Sequence, residues 1–454
     1  ESRRKPLTYK GVVYNEMKGA FSSPEQVLFR EIQASLYPDT PYANESGGDP
    51  DYIPVLTQDA FIEFHKKYYH PSNSYIYLYG NGDMDTHLKF LNDEYLKHFD
   101  KVEIDSEIPG QKPFTQMRRH EVYYSISTQE DSADKTYISL NYAVGRSTDP
   151  FLYLAFDILQ YLLLDNPAAP LKKALLERGI GKDVFGSYDR NLLQPTFSIV
   201  AKDTEESKKN EFIQIIETTL KKIVEEGIDR RKIEAAINFH EFKIREADYG
   251  RFPKGIMYSI LQMSSWLYDD NQPTLHLEYN SVFEKLKAEI DTNYFEQLIQ
   301  KYLIDNKHAN VLIAKPKKGL TDELDRAARE ELERYKSSLS QDEIAKLIEM
   351  NKALIDYQES PELPEDIKKI PLLDIEDIDK EAQPLLIEKL DVSNIRTLLH
   401  RTFTNNISYL KLIFDIKKVA PEMIPYVSLL ATVLGESDTD NYEYSELSNE
   451  ININ

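Results

Sequence analysis

The 454-residue sequence predicts an α+β protein, built from repeated units of mostly antiparallel sheet with helices on one side and joined by a helical hairpin. Three observations carry that prediction. The strand-like run FSIVAK (197–202) is followed by long helical runs over 204–227 and 229–247, then 255–267 and 291–305, before the next strand-like run NVLIAK (310–315). Residues 136–180 lie over residues 407–451 at a constant offset of 271 without a gap: TYISLNY on ISYLKLI, Pro150 on Pro421, DILQYLLL on SLLATVLG, ALLERGI on SELSNEI. No G-x-G-x-x-G or P-loop string occurs in the complete unit, so nothing marks the nucleotide crevice of a doubly wound sheet.

Residues 9–36 read as helix, turn, helix, with Pro24 at the start of the second, where a missing N–H is harmless. The turn-rich run PDTPYANESGGDPDYIP must be a loop. Thr57 then caps a helix carrying Phe61, Phe64 and Tyr68, which Pro71 ends. Tyr75, Tyr77 and Tyr79 alternate with Ile76 and Leu78, the pattern of a half-buried strand over 74–80, and a helix over 85–98 follows. These elements assign 1–114 to the C-terminal half of a first unit, 115–318 to a second, complete unit and 386–454 to the start of a third. Residues 319–385 lie between. There Leu324, Ala328, Leu332 and Tyr335 make one apolar stripe, and Ile344, Leu347, Ile348, Leu354 and Tyr357 another. Ser340 and Glu343 form a capping box between the stripes. Two antiparallel helices over 321–359, burying the stripes on each other or against the preceding complete unit, and an extended linker are expected.

Composition narrows the function classes. The chain has no cysteine, which excludes disulfides, thiol catalysis and cysteine-held metals. A net charge of −22 argues against a nucleic-acid surface and suits basic, unfolded peptides as guests. No window reaches the roughly 18 apolar residues of a membrane span, and the opening ESRRKPLTYK lacks a secretory apolar core.

One residue invites chemistry. In GVVYNEMKGA (11–20) a helical period groups Glu16 with Val12, Gly19 and Ala20 on the face expected to point inward. An inward carboxylate needs an ion pair or a metal. Downstream stand SGGDP (46–50) and FHKKYYHPSNSYIYLYGNGD (64–83). Together with NEMKGAFSSPE, these runs resemble the insulinase and pitrilysin superfamily of zinc peptidases, in particular its presequence-peptidase branch. In that family two histidines of an H-x-x-E-H helix and a distal glutamate about a hundred residues later hold the zinc. The resemblance places the distal metal ligand on Glu16.

None of the nine histidines forms H-x-x-E-H or H-E-x-x-H, and His65 and His70, five apart, point away from each other on a helix. The family's catalytic helix, with its general base, is therefore expected upstream of residue 1, and the chain as part of an enzyme of roughly a thousand residues. No catalytic residue is expected in the chain. The resemblance implies zinc as cofactor, unstructured peptides as substrates, and an N-terminal catalytic segment and a C-terminal half as partners around a clamshell chamber. It implies no membrane partner and a cytoplasmic or organelle-matrix location. The alternative is a noncatalytic partner subunit or chamber-wall protein that pairs with an H-x-x-E-H chain.

Overall fold

The computed structural model describes residues 3–166, 168–382 and 384–453. Two compact units emerge: Lys10–Thr321 with the chain from Lys411 onward, and Asp322–Leu410 with the segment up to Tyr9.

The larger unit opens with four helices, α1 (Val12–Ala20), α2 (Pro24–Leu36), α3 (Gln58–Tyr68) and α4 (Met84–Glu94). Pro24 sits in the first turn of α2, and the Ser23 side chain caps it by accepting from the Gln26 N–H. Thr57 caps α3 in the same way. The sheet follows, with β1 (Arg118–Ile126), β2 (Thr136–Ala143), α5 (Pro150–Gln160), α6 (Pro170–Glu177), β3 (Asp183–Asp189) and β4 (Thr196–Thr204). Five helices come next, α7 (Lys209–Glu226), α8 (Arg230–Glu246), α9 (Lys254–Trp266), α10 (Tyr279–Ala288) and α11 (Tyr294–Ile299), before β5 (Ala309–Lys318).

The five strands run in the order β1-β5-β2-β4-β3. Among the described residues only β1 and β5 are parallel, and the other pairings in this sheet are antiparallel. The mixed sheet of the α+β class is thus present. All eight residues of β2 are buried because both faces of the sheet are covered. The buried Asn141 Nδ2 donates to Asn310 Oδ1 at 2.8 Å and to Ser139 Oγ at 2.9 Å, while Asn141 Oδ1 has no partner among the described residues.

One face packs against α5, α7, α8, α10 and α11 through Phe156, Phe212, Ile237, Phe283 and Phe295. The opposite face is covered by α2, whose Val27, Leu28, Ile32 and Leu36 join Phe114, Tyr124 and Leu312. Burying each such aliphatic side chain is worth about 1.5–3 kcal/mol. A boundary at 114 therefore cuts through a shared core, because α2 and Phe114 complete the sheet of the unit drawn as 115–318.

Two helices of the unit end alike. α5 and α11 each run into one π-helical turn, Tyr161–Asp165 and Gln300–Ile304. Gln160 bonds Asp165 at 2.7 Å and Gln300 bonds Asp305 at 2.8 Å, while Asn166 and Asn306 donate to the freed carbonyls of Tyr161 and Tyr302. The strings QYLLLDN (160–166) and QKYLIDN (300–306) encode the same stop.

Two expected strands are not in ladders. Residues 74–79 are extended with no strand partner among the described residues, and Tyr75 and Tyr79 instead lie against α9, with the Tyr75 and Trp266 ring centroids 4.5 Å apart. Residues 407–413 are likewise unpaired and largely exposed. Alternation specifies which face a strand would bury, but a strand forms only where a neighbouring edge accepts its backbone bonds. The helices of the repeat do recur: a 3₁₀ turn at Pro421–Met423 leads into α15 (Ile424–Val433), then α16 (Tyr444–Ile453). α16 docks on α8 through Arg231–Glu450 and through Asn238 Nδ2 to the Ile453 carbonyl at 3.3 Å.

The smaller unit holds α12 (Leu320–Ser338, all but its first two residues) and α13 (Gln341–Glu359), the short α14 (Pro364–Ile367), and a hairpin of β6 (Glu388–Val392) and β7 (Ile395–Leu399). The helix break and the Ser340–Glu343 capping box stand where the sequence places them. Mutual burial of the stripes does not occur. Leu324, Tyr335, Leu354 and Tyr357 are 52–81% exposed, and neither helix has a buried residue, so their apolar faces are not turned onto each other.

Candidate functional site

Glu16 stands on α1, a helix with no buried residue. The expectation that it points inward is not met: Glu16 is exposed, and Val12 on the same face is 83% exposed. A carboxylate that keeps its water needs no counter-charge, which removes the physical argument for a buried pair. α1 is held at its far end, where the Arg30 guanidinium lies 3.8 Å from the centre of the Phe21 ring. Its middle rests on the SGGDP loop: a Cβ added at Gly47 would collide with Met17 Sδ, so glycine is what lets loop and helix approach.

The histidines do not supply further ligands. The His65 ring stacks on Tyr69 at 4.6 Å, and His70 Nδ1 accepts the Ser72 N–H at 3.1 Å. Among the described residues no group of three or more His, Cys, Asp or Glu could hold a metal ion. The residues present do not by themselves fit a zinc site.

The SGGDP loop leads from α1 into a cavity of about 930 Å³. Its walls are α2 (Gln26, Phe29, Arg30, Gln33) and the loop Pro41–Ser46. Its floor is the part of the sheet that α2 leaves uncovered. There Ser187 pairs in register with Ser198, and Asp189 with Thr196, so all four side chains share one face.

The loop is pinned. The Tyr37 hydroxyl, fully buried, donates to the Gln194 carbonyl at 2.6 Å and lies 2.8 Å from Thr196 Oγ1. Tyr42 meets the Tyr268 hydroxyl at 2.6 Å and accepts the Leu193 N–H at 3.1 Å. Gln111 bonds Asp39 at 2.7 Å on one side and Gln194 at 2.6 Å on the other. Such a net fixes the cavity's shape before any guest arrives.

Asp189 is the charged group of the floor. Burial raises its carboxyl above the usual aspartate range, opposed by the Asn191 N–H that it accepts at 3.2 Å. Sequence reading missed it. The signal available was the alternation of Ser187 and Asp189 in FGSYDR with the matching polar Thr196 and Ser198 in PTFSIV, small polar residues on one face of two adjacent strands.

A family model described as "Peptidase M16 inactive domain" matches residues 56–239, and a second, described as associated with the C subfamily of the same peptidases, matches residues 314–454. Protein HypA of Clostridium perfringens (strain 13 / Type A) is 48% identical over 453 residues, covering 100% of this chain and 46% of that protein. Presequence protease 1, chloroplastic/mitochondrial, of Arabidopsis thaliana is 35% identical over 450 residues, covering 97% of this chain and 42% of that protein. The chain thus spans about half the length of the curated relatives it matches. A crystal structure of a protease from Helicobacter pylori shares the fold with a TM-score of 0.50 at 17% identity, over 67% of this chain and 70% of that one.

Proposed function

Because the chain belongs to the M16 peptidases of the insulinase and pitrilysin superfamily, in the presequence-protease branch, we propose that it builds part of the chamber wall of a zinc-dependent metalloendopeptidase that degrades short, unstructured peptides, and that Glu16 is its contribution to the metal site. The observation that carries this reading is the pair of family matches, which cover 56–239 and 314–454 with domains described as inactive or associated rather than catalytic. A wall needs a shaped surface more than a reactive group, and the pinned cavity next to the Glu16 helix is such a surface.

The described residues form no zinc site, so no catalytic step is assigned to them. The two histidine ligands and the general base belong, on this proposal, to an H-x-x-E-H helix outside this sequence. The acidic balance of −22 favours approach of basic peptides from a distance, an effect that salt screens. A second reading, a noncatalytic chain that pairs with an H-x-x-E-H chain, is favoured by the description of the 56–239 match as an inactive domain.

Hydrolysis of a quenched fluorescent peptide separates the two. It is measured on the chain alone, on a protein joining the chain to an H-x-x-E-H segment, and on that joined protein with Glu16→Gln. The first reading expects cleavage only after joining, and a loss of about 100-fold or more in the variant, since even outer-shell partners of a metal are worth 10–100-fold. Unchanged cleavage with Glu16→Gln would favour the second.

A further inference from the structure

The floor of the α2 cavity carries more hydrogen-bonding capacity than the protein uses. The Ser187 and Ser198 hydroxyls have no partner among the described residues, and the Asp189 carboxylate has only the backbone N–H of Asn191. No Lys, Arg or His side chain among the described residues lies within ion-pair distance of Asp189. The nearby cations are committed elsewhere: Arg190 to Asp157, and Arg30 to Glu31 at 2.9 Å and to the Phe21 ring. A half-buried carboxylate flanked by two idle hydroxyls is costly to desolvate and is relieved by a cation brought from outside. The floor also borders the outer strand of the sheet, β3, which pairs only with β4 among the described residues and so offers a free row of backbone donors and acceptors.

We propose that Asp189 is a specificity-determining residue that receives an ammonium group, of a lysine side chain or of a peptide N-terminus, from an extended peptide lying in this cavity, with Ser187 and Ser198 bonding the peptide beside it. A cavity of about 930 Å³ has room for a few residues of such a chain. The guest is a cationic peptide because the charge it meets is uncompensated and negative; Glu45, the other carboxylate lining the cavity, adds to that sign. The inference rests on the peptide-chamber reading above. Its test uses binding without catalysis, so failure of cleavage in the joined protein and failure of charge selection in the cavity are separate results.

Binding of a short peptide, labelled at its C-terminus and carrying one lysine and a free N-terminus, is followed by fluorescence anisotropy on the full chain. It is compared with the same peptide carrying norleucine for lysine, an acetylated N-terminus, or both. The wild-type chain should bind the charged peptide about tenfold more tightly than the doubly neutral one, the scale of one charge-assisted hydrogen bond. Loss on acetylation identifies the N-terminal ammonium as the guest, and loss with norleucine identifies the side chain. Asp189→Asn, which keeps the acceptor for Asn191, should bind all four peptides alike, while Glu45→Gln should keep the preference. Ser187→Lys, which places a cation beside an intact Asp189, should also abolish the preference and guards against a misfolded Asp189 variant. Equal binding of all four peptides to the wild type, no binding of any, or a preference that survives both Asp189→Asn and Ser187→Lys would overturn the proposal.

Discussion

At the scale of single residues, the two acids of interest separate what sequence can and cannot reveal. Glu16 stands out in the sequence because a helical period places it among small and apolar residues, yet the period assigns faces only relative to one another, and the exposed face of α1 carries it. Asp189 escapes notice because its setting depends on where α2 stops covering the sheet, a tertiary fact. Two half-buried histidines give a prediction of their own. His240 packs edge-on to Tyr161 with its Nε2 enclosed and unpartnered, and burial pushes its pKa down to about 3. His276, stacked on Tyr153 at 3.8 Å, is pushed down to about 4. Both bind protons more readily unfolded, so stability is full above pH ~6.5 and is lost as pH falls toward those folded values, at about 1.4 kcal/mol per pKa unit. His120 has the opposite sign: its bond to Glu31 raises its pKa, and its stabilisation fades as pH rises through that value. Urea unfolding at pH 5 and pH 7.5 should therefore show a smaller pH dependence in His240→Leu than in the wild type. An unchanged difference would mean that His240 titrates as a solvated group.

At the scale of elements, helices were legible and strands were legible only where a partner exists. α3, α8 and α13 lie where Thr57, the 229–247 run and the Ser340–Glu343 box put them, because caps and periodicity act within a few residues. The alternating segments 74–79 and 407–413 carry equally clear patterns and are not strands, since ladder bonds require an edge that the pattern does not name. The π-turn stops after α5 and α11 were visible as QYLLLDN and QKYLIDN but have no meaning without the i to i+5 bond geometry. The docking of α2 on the sheet predicts that Leu28→Ala destabilises the whole sheet unit by about 2–5 kcal/mol. A differential scanning measurement with an unchanged main transition would instead make α2 an appendage. Gly181, at φ +84° with the Lys202 carbonyl 2.6 Å from where a Cβ would sit, stands two residues before β3. Gly181→Ala should cost about 1–3 kcal/mol and loosen β3 from β4; hydrogen exchange of the β3 amides reads the loosening directly, and full protection would contradict it.

At the scale of the whole molecule, three facts meet: a sheet unit with a pinned cavity, a carboxylate on an adjoining exposed helix, and M16 peptidase family matches over 56–239 and 314–454. The family was legible from NEMKGAFSSPE, SGGDP and the 64–83 run. The metal site is not legible in the fold, because tight zinc sites need three or four ligands desolvated together and the described residues bring no such group together. On the proposal above, Glu16 is a zinc ligand once an H-x-x-E-H segment is joined to this chain. Zinc stoichiometry tests it most directly, measured by elemental analysis on the joined protein and its Glu16→Gln variant after identical dialysis, with circular dichroism confirming an equal fold. Close to one zinc per molecule is expected in the first and a clear deficit in the second. Equal zinc in both would contradict it.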